Sequence, residues 1–80
     1  MAADILRWTT VDSSNVARIR YWKKTKEMDV QFKTAPEYFY RYSDVSMVEF
    51  IDTLQADSIG GHFSKEIKAS KDVKKLRHEF

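Results

Sequence analysis

The sequence predicts an α+β fold: a small antiparallel β-meander of three or four strands, packed with one or two C-terminal helices. Three observations predict it. Residues 28–33 alternate, with Met28, Val30 and Phe32 against Asp29, Gln31 and Lys33, which is the period of a half-buried strand. Tyr38-Phe39-Tyr40-Arg41-Tyr42 places four aromatics and an arginine in five positions, a composition suited to a pleated surface. Ser46 with Glu49 three residues later matches a capping box that opens a helix.

Taken in order, Ile5 to Val11 reads as a short first strand or an arm. Asp12-Ser13-Ser14-Asn15 is a turn, because all four side chains can bond nearby backbone groups. Residues 16–22 form a strand with Ala17, Ile19 and Tyr21 on one face. Val16, Arg18, Arg20 and Trp22 fall on the other, a cationic face suited to solvent or a ligand. Lys23-Lys24-Thr25-Lys26-Glu27 is a polar hairpin loop into the strand at 28–33. Thr34-Ala35-Pro36 interrupts the ladder, since proline cannot donate to it. The tyrosine strand follows over 37–42, so two successive hairpins make a meander.

A helix is predicted over 47–56. Val45 before the cap and Phe50 at the fourth helical position fit a hydrophobic staple. Its apolar side is expected to be Val48, Ile51 and Leu54, with Met47 and Phe50. Gly60-Gly61 ends this region. A second helical segment starts near residue 62, with Phe63 and Ile67 at i and i+4. The charged tail from Lys68 is expected to continue it, with Val73, Leu76 and Phe80 at helical spacings. Phe32, Val45, Ile51, Leu54 and Phe63 are the expected core.

Eighty residues make one domain. A chain this short gains roughly 3–5 kcal/mol from its core, so its aromatics matter for stability. Without cysteine, disulfide staples and thiolate zinc sites are excluded. Met1-Ala2-Ala3-Asp4 begins no signal sequence. No segment approaches the ~20 apolar residues that span a bilayer. A cytoplasmic protein without membrane contact is expected. The net charge of +2 is uneven: residues 16–33 carry six basic and two acidic side chains, 34–57 one and five, and 62–80 six and three. Two basic blocks flanking an acidic one suit an anionic partner without requiring it.

Catalysis is not expected. Ser13, Ser14 and Asn15 have no evident base nearby and serve the turn. His62 and His78 are too far apart in sequence, and too few, to suggest a metal site. Gly60-Gly61 lacks the lysine and spacing of a phosphate loop, although its amides could approach an anion beside His62. Asp44, Glu49, Asp52 and Asp57 fit cap, helix surface and turn. No cofactor is expected.

Two features suggest binding. Tyr38, Tyr40 and Tyr42 share a strand face, which is either a stacking platform for bases or a wall of the core. Arg18, Arg20, Lys23, Lys24 and Lys26 form either a phosphate-tracking stripe or a solvated face whose charge guards a strand edge. Lys65, Lys68, Lys71, Lys74, Lys75 and Arg77 alternate with Glu66, Asp72 and Glu79, as in a helix with internal ion pairs.

The order of features adds to this. Asp12-Ser13-Ser14-Asn15-Val16 leads to Ile19 and Tyr21, then to Phe32, Tyr40-Arg41-Tyr42 with Val45, an amphipathic helix, and Ser58-Ile59-Gly60 with Phe63 and Ile67. The pattern resembles a KTSC domain, a short module named for its occurrence at the C-terminus of some lysyl-tRNA synthetases. The module also stands alone in small bacterial and phage proteins. The resemblance covers about residues 11–68 and leaves 69–80 as a charged tail. Thr34-Ala35-Pro36 replaces a usual glycine hairpin, Ser46 stands at a usual proline, and His62-Phe63-Ser64 at a frequent Tyr-Phe-Asn. The resemblance implies the fold, and the synthetase association suggests RNA.

The expected function is therefore a non-catalytic binding module for RNA or single-stranded nucleic acid. The expected site is Arg18, Arg20, Trp22, Lys23, Tyr40, Arg41, Tyr42, His62 and Lys65. The alternative is a protein-interaction module, an adaptor or inhibitor, which an exposed apolar patch around Trp8 and Trp22 would favour.

Overall fold

A computed structural model describes residues 5–77. Five antiparallel strands lie side by side in chain order: β1 (Ile5–Thr10), β2 (Val16–Trp22), β3 (Glu27–Phe32), β4 (Tyr38–Tyr42) and β5 (Val73–Arg77). Helices α1 (Met47–Gln55) and α2 (Ile59–His62) connect β4 to β5, and α2 runs on into a π-helical stretch, Phe63–Lys68. The strand count thus exceeds the expected three or four. The first segment is a strand, and the tail supplies another.

That tail corrects a sequence expectation. Residues 73–77 are not helical; they pair with β4, from Tyr42↔Val73 to Tyr38↔Arg77. A spacing of three between Val73 and Leu76 does not distinguish helix from strand over so short a run. The backbone of β4 decides it, because pairing satisfies donors and acceptors that would otherwise form an open edge. The ion-paired tail helix does not form either: Lys71 instead reaches α1 and contacts Glu49 Oε2 at 3.1 Å. Phe80 lies outside the described residues.

Turn chemistry sets the meander. Lys26 closes the β2–β3 loop with φ 57°, and its N–H donates to the Trp22 carbonyl at 2.8 Å. The Lys26 carbonyl in turn accepts from Val45 N–H at 2.8 Å, anchoring the hairpin to the segment that enters α1. Ala35 and Tyr38 N–H donate to the Phe32 and Ala35 carbonyls across the Pro36 turn. A register shift between Val16 and Arg18 marks a bulge. The bulge turns Val16 into the core, fully buried, instead of leaving it on the Arg18 face as simple alternation expects.

The helices cover one sheet face. Ile19, Tyr21, Met28, Val30 and Tyr42 pack there with Val45, Phe50, Phe63 and Ile67. Tyr21 stacks on Phe50 (centroids 4.9 Å apart, planes at 16°), and its hydroxyl donates to the Val45 carbonyl at 2.6 Å. The Ser46–Glu49 capping box forms as expected. The buried face of α1 is a second correction: Phe50 and Thr53 are buried, and Met47 and Leu54 partly so. Val48 and Ile51 stay 66% and 40% exposed. Stripes 47/50/54 and 48/51 are adjacent on the helix and both apolar. With Val45 buried and Phe50 packed on Tyr21, the first turns inward. Gly60 and Gly61 lie inside α2 and do not end a helical region. Of the expected core, Val45 and Phe63 are buried, Phe32 and Leu54 half-buried, and Ile51 exposed. No helix among the described residues is long and apolar enough to cross a membrane.

Candidate binding surface

The second sheet face carries no helix. Alternation along β2 brings Arg18, Arg20 and Trp22 to it, and register adds Gln31 and Asp29 from β3 opposite Arg18 and Arg20. Arg41 of β4 sits opposite Asp29, and Lys74 of β5 opposite Arg41. Trp8 of β1 joins them through its contacts with Arg18 and Arg20.

Asp29 is the hub. Its side chain has no solvent exposure and accepts four hydrogen bonds. Oδ2 takes Arg20 Nε at 2.7 Å, Trp22 Nε1 at 2.8 Å and Arg41 Nη2 at 3.1 Å. Oδ1 takes Arg41 Nε at 2.8 Å. A buried carboxylate is tolerated only when paired and saturated in this way. The bond to Asp29 also raises the Arg41 pKa; burial opposes the shift, and the charges of Asp29 and Glu27 add to it. Beside this hub Arg18 Nε donates to Gln31 Oε1 at 2.6 Å, and Gln31 Nε2 donates to the Pro36 carbonyl at 2.7 Å.

The same arginines interleave with rings. Arg18 and Arg20 lie 4.7 and 4.2 Å from the Trp8 centroid. Arg20 and Arg41 lie 5.2 and 4.9 Å from Trp22. Phe39 meets both Arg20 and Arg41, at 5.1 and 5.5 Å, and touches Trp8 edge-on at 5.9 Å. The result is an alternating ladder, Arg18–Trp8–Arg20–Trp22–Arg41, drawn from β1, β2 and β4. Cation–π contact of this kind strengthens as water is excluded, and the half-buried rings provide that exclusion.

The expected site residues divide. Arg18, Arg20, Trp22 and Arg41 come together on this face, and Lys23 stands exposed in the adjoining β2–β3 loop. Tyr40 and Tyr42 point to the helix-covered face. Tyr42 is 2% exposed and meets Phe63 edge-on at 5.2 Å; burial, then Tyr40, raises its pKa. Tyr40 is half-buried against Phe32 at 5.5 Å. Both serve as core wall, so neither offers a ring to a base. His62 and Lys65 belong to the helical layer on the far side of the sheet. The Gly61 and His62 amides there donate to Ser58 Oγ and Ser58 O, so they do not form an anion cradle. Among the described residues no three His, Asp or Glu side chains converge as metal ligands.

Sequence reasoning missed Asp29, Gln31 and Phe39 as members of this face, and set Trp8 beside Trp22 only as an apolar patch for a protein partner. The signal for two of them was present: folding the 16–22 and 28–33 segments about the lysine loop sets Arg20 against Asp29 and Arg18 against Gln31. Trp8 could not be placed while its segment remained a strand or an arm.

Comparison with known proteins agrees with this architecture. The sequence profile of the KTSC domain matches residues 12–70. No curated protein matches significantly. Among solved structures, the crystal structure of a KTSC domain protein from Yersinia pestis superposes with a TM-score of 0.82 at 24% identity, covering 90% of this chain and 97% of that one. At that identity the likeness speaks to the fold. Matched by the profile over most of its length, the chain belongs to the KTSC domain family.

Proposed function

We propose that the protein is a non-catalytic binding module that uses its helix-free sheet face to hold RNA or another single-stranded nucleic acid. One observation carries the reading. The face left open by the helices gathers Arg18, Arg20, Arg41 and Lys74 around two tryptophans, against the acids Asp29 and Glu27. Guanidinium groups and Lys23 neutralise phosphates. Bases stack on guanidinium planes and on the accessible part of Trp22. This replaces the tyrosine platform, since Tyr40 and Tyr42 are turned away. Work in a reducing cytoplasm fits the cysteine-free sequence.

The test is a tryptophan-fluorescence titration with single-stranded oligonucleotides at two salt concentrations. Quenching with an affinity that falls as salt rises supports the reading. No binding at about 50 mM salt, where phosphate contacts are strong, defeats it. In that case the second reading leads: a protein-interaction module, favoured by exposed Val48 and Ile51 on α1.

A further inference from the structure

The sheet has two outer edges, and they are built differently. On β1 the register slips between Leu6 and Thr9, and a bulge of that kind disrupts an edge as a template for pairing. Strand β5 has no such defect. It pairs with β4 without interruption from Val73 to Arg77, and Val73, Lys74, Lys75 and Arg77 are exposed.

Its hydrogen-bonding direction can be assigned. Ser43 N–H donates to the Asp72 carbonyl at 3.0 Å, continuing the β4–β5 register by one step. Antiparallel ladders alternate, so Asp72, Lys74 and Leu76 bond inward to β4. Val73, Lys75 and Arg77 then point their N–H and C=O groups outward. The strand carries three cations and no acid. Lys74 flanks the edge on the helix-free face; Lys75 and Arg77 flank it on the other, with Lys75 Nζ 4.3 Å from the Tyr38 centroid. None of the ion pairs among the described residues uses a β5 cation.

We propose that the outer edge of β5 is a docking strand for an extended, acidic segment of a partner protein, which adds to the sheet by main-chain pairing. The outward amides and carbonyls supply the ladder. Cations on both sides of the strand select carboxylates at successive positions of the incoming segment, since neighbouring residues of a strand face opposite sides of the sheet. The same charges oppose pairing with a second copy, whose β5 would bring like charge against like. A nucleic acid lacks the peptide groups that this edge requires. The proposal shares Lys74 with the nucleic-acid reading, which uses the sheet face, but rests on the outward main-chain groups of β5, which that reading does not use.

The test is a ¹⁵N-resolved NMR titration of the full chain with a synthetic peptide repeating Glu-Glu-Val-Val, which presents glutamates on both faces of a strand, against a lysine–valine control repeating Lys-Lys-Val-Val. The expected result is binding of the acidic peptide only, with slowed hydrogen exchange at the Val73, Lys75 and Arg77 amides. Lys75→Pro removes one outward donor while leaving the inward ladder and should weaken binding roughly tenfold. If that variant fails to fold, Lys74→Glu with Arg77→Glu keeps every amide and should exchange the preference to the lysine–valine peptide. Equal binding of both peptides, unchanged exchange at the three outward amides, or shifts confined to Arg18, Arg20, Trp22 and Arg41 would each overturn the proposal.

Discussion

Arg41 grips Asp29 across β3 and β4 with two bonds, Nε to Oδ1 at 2.8 Å and Nη2 to Oδ2 at 3.1 Å. Arg20 binds the same carboxylate from the other neighbouring strand at 2.7 Å. One acid thus joins three strands on a face where no helix supplies packing.

Removing either arginine leaves Asp29 with one cationic partner, and removing both leaves a buried charge uncompensated. Arg20→Ala and Arg41→Ala together should therefore cost more than the sum of the single changes. Asp29→Ala should cost about 3–5 kcal/mol, the range for breaking a buried pair. Urea unfolding of the parent and these four variants gives the comparison; additive single losses would refute the coupling.

Tyr21→Phe keeps the ring on Phe50 and deletes the buried bond to the Val45 carbonyl. The expected loss is ~1–3 kcal/mol, the cost of leaving that acceptor unsatisfied. An unchanged denaturation midpoint would show that the bond contributes nothing.

The Glu49 pKa is lowered from its ordinary 4.5, chiefly by the Ser46 backbone bond and further by Lys71, with burial opposing. The unfolded chain then binds the proton more readily than the folded one. Stability from this group is fully present above about pH 4.5 and is lost as pH falls through the lower folded value. Glu49→Gln should flatten this part of the stability–pH curve. A curve identical to that of the parent would remove Glu49 as a source.

On the helix-free face, Arg18→Ala should weaken oligonucleotide binding and make the salt dependence shallower by roughly one unit per lost phosphate contact. Trp22→Ala should cost about 1–3 kcal/mol of affinity with little change in that slope. Tyr42→Ala should act on stability, since the ring is core. If Tyr42→Ala lowers affinity in a domain that remains fully folded, the face has been misassigned.

Much of the fold was legible because its signals are local. The alternation at 28–33, the lysine loop, and the Ser46–Glu49 cap with its Val45–Phe50 staple each specify geometry within a few residues. What was not legible depends on partners distant in sequence. Residues 73–77 become a strand because β4 has an edge to offer. Val48 and Ile51 lie outside because the Phe50 stripe is already seated on Tyr21. The tyrosines were ambiguous until the helices chose a sheet face. Asp29, an ordinary polar residue of an alternating strand, became the centre of a charge network only when arginines from both sides were brought to it.

The order β1-β2-β3-β4-β5, identical in space and in sequence, also bears on how the chain reaches its structure. Every new strand closes onto the one just formed, except that β5 must return across the helices, so most ordering entropy is spent over short loops. The β4–β5 pairing, which spans the helices, is the non-local contact that folding must close last. Before β5 docks, β1–β4 and α1 can already assemble, with the outer side of β4 as a temporary edge. Docking of β5 then ends that exposure, and Lys71, reaching the Asp44 carbonyl at 2.7 Å, secures the returning chain at the point where it enters the strand.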